Sequence, residues 1–249
     1  MTTQSIDLNA DLGEGGAYDE ALFPLISSAN IACGVHAGDS DTMRRSVRLA
    51  LQHGVAIGAH PGLNDRDGFG RHWFDVDEPE LRNQVWQQIT TLQRICGEEG
   101  AVLRYVKAHG ALYNRAMIDE SVATTITRAV SAVDSSLHLF AQPGSALERI
   151  ATQQGLPVVR EAFADRAYNA DGTLVRRDIA GAVLHDPDAI AGRIIRLVTT
   201  GEIDTIDGQV IHLPADTICI HSDTPGAVAI ATTLRQRLRE AGIEIVAGS

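Results

Sequence analysis

Ile6-Asp7-Leu8-Asn9-Ala10, with Asp11 behind it, alternates apolar and polar side chains residue by residue. Successive side chains of a strand point to opposite faces, so Ile6, Leu8 and Ala10 share one face and Asp7, Asn9 and Asp11 the other. In a barrel the second face is the interior. Placing carboxylates there is costly unless hydrogen-bond partners, a counter-charge or a metal compensates. A strand of this kind belongs near a site that uses its acids.

Further strand-like runs follow at Asn30–Cys33, Val55–Ala59, Val102–Lys107, His138–Ala141, Val158–Ala162 and Thr217–Ile220, with a last short one at Ile243–Val246. They are short and rich in apolar or β-branched residues, as buried parallel strands are. Helical periodicity fills the gaps. Leu81, Val85, Ile89, Leu92 and Cys96 form one stripe, and Ala227, Ala231, Leu234, Leu238 and Ala241 another. Ser40 or Asp41 reads as the cap of a helix entering at Met43, and Thr224 as the cap of one starting at Pro225. Gly54, Gly100, Gly155 and Gly242 each close a helix just before a strand. Repeated β-then-α units mean a parallel sheet with right-handed crossovers. About seven units in 249 residues predict a closed or nearly closed α/β barrel in a single domain, 1–249, with an open doubly wound sheet as the alternative. Pro61–Trp73 and Asp165–Arg177 read as irregular segments of the length binding loops have.

The chain carries 32 acidic and 21 basic residues, a formal net charge of -11, which disfavours nucleic-acid and anionic-membrane partners. Cys33, Cys96 and Cys219 are odd in number and far apart, which argues against a disulfide framework and fits a reducing cytoplasm. Met1–Gly16 lacks the pattern of a secretory signal, and no apolar run approaches a membrane span. Walker A, dinucleotide-binding, His-Glu-x-x-His and Gly-x-Ser-x-Gly motifs are all missing.

Active sites of parallel α/β proteins form at the carboxyl ends of the strands. Here those ends read Asp7 to Asp11, Asn30 to His36, Gly58-Ala59-His60, Lys107-Ala108-His109, Arg160-Glu161 and His221-Ser222-Asp223. Four of the nine histidines therefore fall at one expected rim. A single such histidine is an ordinary packing residue; the group together points to chemistry. Lys107, in a strand beside His109, needs an anion, and a substrate phosphate or carboxylate would serve. Cys33 reads as a packed strand cysteine. His53, His72, His138, His185 and His212 read as surface or packing residues.

These same residues carry a resemblance. Asp7 to Gly15, Asn30 to Asp39 and Gly58 to Gly62 resemble the LamB/YcsF family. So do Gly68-Phe69-Gly70-Arg71, His109 to Asn114, Phe163 to Tyr168 and Asp223 to Ala227. The resemblance runs almost end to end and implies a seven-stranded parallel (β/α) TIM-like barrel of the glycoside hydrolase/deacetylase type. It also implies a 5-oxoprolinase that opens 5-oxo-L-proline to L-glutamate at the expense of ATP, with B and C partner subunits. The chain departs from the family pattern at Val35, Ala108, Arg176 and Ser222, beside the ionisable residues rather than at them.

Catalysis is expected from Asp11, Glu14, His36, His60 and His109, with Asp11 or Glu14 as general base. Substrate binding is expected from Asn9, Asp39, Arg71, Lys107, Asn114, Glu161, Arg166, His221 and Asp223. ATP enters as co-substrate, with phosphorylation left to the partners. Asp11, His36 and His60 offer oxygen and nitrogen ligands to a divalent metal, which the resemblance does not require. The alternatives are a metal-dependent carbohydrate deacetylase and a non-catalytic, lactam-binding subunit.

Overall fold

The computed structural model describes residues 4–248. Seven parallel strands close on themselves: β1 (Ser5–Leu12), β2 (Ser28–Ala32), β3 (Ala56–His60), β4 (Leu103–Val106), β5 (His138–Ala141), β6 (Val158–Phe163) and β9 (Thr217–Ile220). β9 pairs with both β6 and β1, which completes the ring. An antiparallel pair, β7 (Glu202–Asp204) and β8 (Val210–His212), stands outside it, and β10 (Glu244–Ile245) extends the amino-terminal end of β1. The seven-stranded parallel barrel expected from sequence is the one observed. The β7–β8 hairpin is an addition that the strand pattern does not announce.

The outer helices are α1 (Asp19–Leu22), α2 (Ser40–His53), α3 (Glu78–Glu98), α4 (Gly110–Ile118), α5 (Glu120–Val133), α6 (Ala146–Gln153), α7 (Pro187–Thr200) and α8 (Ala227–Glu240). The main core lies between them and the outward face of the strands. Leu8, Ala10 and Leu12 of β1 join Val47 of α2, the whole Leu81-to-Cys96 stripe of α3, and Leu234 and Leu238 of α8. Gly54 closes α2 in the left-handed conformation at φ 66°, a position where a Cβ is penalised.

Two helix starts differ from the sequence reading. Asp39 caps α2, its carboxylate accepting from the Thr42 backbone N–H, so Ser40 and Asp41 lie inside the helix. α8 begins at Ala227 behind Gly226, whose φ of 82° breaks the turn that Thr224 and Pro225 would have opened. A small polar side chain caps where local geometry lets it reach an N–H, and spacing alone does not choose among neighbours.

The barrel's interior is plugged below the site. Tyr105 stacks on Phe140, ring centroids 4.0 Å apart, with Val159 packed against them. Gly58 makes room for the tyrosine: a Cβ there would lie 2.1 Å from the ring. No helix among the described residues is long and apolar enough to cross a membrane.

Candidate active site

The polar face of β1 points into the barrel and is satisfied at each level. Asp7 accepts from the hydroxyls of Ser27 (2.6 Å), Ser28 (2.8 Å) and Thr217 (2.6 Å). Burial pushes its carboxyl up despite those bonds. Above it, the Asn9 amide donates to Thr217 Oγ1, and the Asn30 amide donates to Asn9 Oδ1 and Asp11 Oδ1, both at 2.7 Å. This column is rigid because every rung bridges two strands.

Lys107, just past β4, stands at the next level. Its ammonium donates to Asp11 Oδ1 at 2.9 Å and to Cys219 Sγ at 3.0 Å, and lies 2.9 Å from Glu161 Oε1. The contact with Glu161 is an ion pair whose angles fall short of a hydrogen bond. Burial alone would lower the lysine, but Asp11, Cys219 and Glu161 outweigh it and hold the ammonium charged. Burial would likewise raise Asp11, yet His60 and Lys107 keep it well below the usual carboxylate range. The anions expected for Lys107 from a substrate are thus supplied by the chain.

Three imidazoles meet above Asp11. His60 ends β3, His36 follows β2 after a turn, and His109 precedes α4. His36 and His109 stack with centroids 3.9 Å apart and planes 4° from parallel, while His60 meets both edge-on. His60 Nδ1 lies 2.8 Å from the Lys107 carbonyl oxygen, and His109 Nε2 lies 2.8 Å from that of Phe69. Carbonyls only accept, so each of these ring nitrogens carries its proton. The inward nitrogens, His60 Nε2 and His109 Nδ1, face each other at 2.9 Å. Glu14 Oε1 sits 3.3 Å from His36 Nε2 and 3.4 Å from His109 Nδ1. Burial, then His60, lowers the His36 imidazole to about 3; burial, then His60 and His36, lowers His109 to about 2. Burial, then the charge of Asp11, raises the Glu14 carboxyl to about 8.

A cavity of about 890 Å³ opens over this floor. Asp11, Glu14, His60, His109 and Lys107 line its base. Arg71, Asn114, Arg166, Arg176, Arg177, His221 and Asp223 line its walls. Arg71 reaches across to Asp223 at 2.5 Å, with Arg177 at 3.8 Å from the same oxygen. Arg166 is mostly spent on the backbone carbonyls of Val175 and Ala182, so it braces the 164–186 loop that forms one wall. His221 Nδ1 is held at 2.8 Å by the buried Asp165.

Three residues expected to touch substrate lie elsewhere. Asp39 is the α2 cap and is outside the cavity lining. Asn9 and Glu161 are wholly buried beneath Lys107; Glu161 is mid-strand, since β6 runs on to Phe163. Arg160 points outward to Asp216. The metal grouping also shifts. His36 faces Glu14 rather than Asp11, and the four ligand atoms that converge belong to Glu14, His36, His60 and His109. Cys33 is a buried packing residue whose thiol burial raises to about 12. Tyr113 and Gln142 also line the cavity, and Asp165 and Phe69 hold His221 and His109; none is among the residues expected to act there, although Phe69, Tyr113 and Asp165 lie in stretches that carry the resemblance. Phe69 has φ 55°, and its flanking glycines, Gly68 and Gly70, are the one local sign of an unusual turn.

Comparison with known proteins places this geometry. The second 5-oxoprolinase A-subunit of Bradyrhizobium diazoefficiens is 50% identical over 248 residues, covering 97% of each chain. The 5-oxoprolinase A-subunit of Cutibacterium acnes is 46% identical, covering 98% of this chain and 99% of its own. The crystal structure of the lactam utilization protein from Thermus thermophilus superposes with a TM-score of 0.92 at 42% identity, covering 98% of this chain and all of that one. The model of the LamB/YcsF family matches residues 6–249, and the chain belongs to that family.

Proposed function

We propose that this chain is the ring-opening subunit of an ATP-coupled 5-oxoprolinase, hydrolysing 5-oxo-L-proline to L-glutamate together with B and C subunits. The observation that carries the reading is the convergence of Asp11, Glu14, His60 and His109 on the floor of one cavity walled by arginines, with His36 stacked on His109. End-to-end similarity to relatives of that name supports it.

A five-membered lactam is a poor electrophile, because amide resonance opposes attack and the ring is barely strained. Phosphorylating the amide oxygen opens the carbon to water; the adduct then expels the ring nitrogen, which takes up a proton and becomes the amine of glutamate, and the acyl phosphate left behind loses phosphate to a second water, which accounts for ATP. The chain has no Walker A motif, so the phosphorylation step falls to the partners. Asp11, kept ionised by Lys107, takes the proton of the attacking water. Glu14, His60 and His109 border the same floor, with His60 Nε2 3.5 Å from Asp11 Oδ1, and Glu14, its carboxyl raised to about 8, carries a proton to give to the departing nitrogen. Arg71 and Arg177, both on Asp223, are placed to take a carboxylate or phosphate. The three buried free cysteines support a reducing cytoplasm.

The test is reconstitution. The chain, its partners, ATP and 5-oxoproline are mixed, glutamate is assayed, and each component is omitted in turn. Glutamate formed only in the complete mixture is the expected result. Acetate released from an acetylated sugar by this chain alone would favour the deacetylase reading. Lactam binding without turnover in the complete mixture would leave a binding subunit.

A further inference from the structure

We infer that Glu14, His36, His60 and His109 form a binding site for a divalent transition-metal ion of the zinc class. One oxygen and three nitrogens, one from each side chain, all lie within 4.8 Å of one another. Four of the six separations are 2.9, 3.3, 3.4 and 3.9 Å. Four ligands about 2.0–2.1 Å from a tetrahedral ion are separated from one another by about 3.3 Å. The side chains already stand close to that spacing.

The hydrogen-bond pattern gives an independent reason. His60 and His109 each give their outer N–H to a backbone carbonyl, which fixes the tautomer and turns a lone pair inward. Those lone pairs face each other at 2.9 Å with a carboxylate beside them. Among the described residues no lysine or arginine forms an ion pair with Glu14, whose partners are the three imidazoles alone. A second grouping, Asp11, Cys219 and His221, differs in this respect. There the Lys107 ammonium already sits 2.9 Å from Asp11 and 3.0 Å from Cys219, so the cation is built in. Imidazole donors suit zinc, iron, nickel or copper, whereas magnesium and calcium take oxygen. Glu14, His60 and His109 border the cavity, so an ion here would polarise a carbonyl oxygen that reaches the floor. The inference does not depend on which substrate enters.

The full chain, stripped with chelator and dialysed against Zn²⁺ or Co²⁺, is expected to retain about one equivalent after desalting. The Co²⁺ form should show the intense visible bands of a four-coordinate ion, and the thermal midpoint should rise with free metal. H36Q and H109Q, checked for folding by circular dichroism, should lose retention and bands; H53A, at a surface histidine, should keep both. Failure of the stripped wild-type chain to retain either ion overturns the site, as does a Co²⁺ spectrum of six-coordinate type. Equal retention by H36Q, H109Q and wild type also overturns it. Each readout is made without substrate, so these outcomes are separate from the fate of the 5-oxoprolinase reading.

Discussion

The Phe69 carbonyl oxygen accepts a hydrogen bond from His109 Nε2 at 2.8 Å, from a backbone held at φ 55°. That conformation is unfavourable for a residue with a Cβ by roughly 1–2 kcal/mol. It persists because the ring packs edge-on against His36 and His109, at 5.9 and 5.4 Å between centroids. The strain and the histidine anchor are one feature of the 61–77 loop.

The first prediction follows from this strain. F69G gives up the ring but relieves the backbone, whereas F69A gives up the ring and keeps the strain. F69G should therefore be more stable than F69A by about 1 kcal/mol, the reverse of the usual order of these two residues. Denaturant unfolding of both variants measures the difference. If F69A is the more stable, the left-handed backbone is not what the position requires.

A second prediction concerns Gly62. A Cβ there would lie 2.6 Å from His36 Nδ1 and 2.9 Å from its Cγ, and His36 is buried with nowhere to retreat. G62A should cost about 1–3 kcal/mol by overpacking and should turn the imidazole out of the cluster. Turnover in the reconstituted system should fall about 100-fold or more. G97A is the control, since a Cβ at Gly97 of α3 meets nothing within 4 Å. That change should be neutral or stabilise by up to about 1 kcal/mol. Wild-type turnover in G62A would show that the position of His36 does not matter.

Much of this was legible from the chain because it depends on local pattern. Alternation alone sends Asp7, Asn9 and Asp11 into the barrel, and strand ends alone bring His60 and His109 to one mouth. What pattern does not give is depth. Glu161 sits beneath Lys107 because it pairs in register with Thr217, and register depends on neighbouring strands. The strand end announces His221, but its contact with Asp165 joins residues 56 apart across the β7–β8 insertion, and no local pattern pairs the two. Asp39 rather than Ser40 or Asp41 caps α2 for a similar reason: its extended backbone lets its carboxylate reach the Thr42 N–H, and residue type does not choose among three adjacent candidates. The β7–β8 hairpin has three-residue strands, too short for periodicity to register.

Asp11 and Glu161 share Lys107, and the third prediction uses their asymmetry. K107M leaves two buried carboxylates without a counter-charge and should cost about 3–5 kcal/mol. D11N leaves the ammonium still facing Glu161 at 2.9 Å and should cost less. The double variant D11N/K107M should recover part of the K107M loss, because one stranded charge is gone. D11N should also lower turnover by about 100-fold or more, as loss of a general base does. Unfolding free energies of the three variants test the order; D11N as damaging as K107M would remove Glu161 from the pair.

The last prediction is a pH dependence at Asp165. Its carboxylate is fully buried, bound to His221 Nδ1 at 2.8 Å and to the Thr224 hydroxyl at 2.6 Å. Burial alone would raise it, but His221, Thr224 and Arg177 together hold it below the usual carboxylate value. The unfolded chain therefore takes up a proton at higher pH than the native chain does. The contribution of Asp165 to stability is full above the unfolded pKa, about 3.9, and is lost as pH falls through the native value. D165N lacks this ionisation at every pH. At pH 7 it should be less stable than wild type by about 1.5–3 kcal/mol, the range for hydrogen bonds to a charged group. That gap should narrow as pH falls below about 4. Comparing the two chains cancels the acids they share. A gap unchanged between about pH 7 and about pH 3 would mean that Asp165 holds His221 and Thr224 by shape, without its charge.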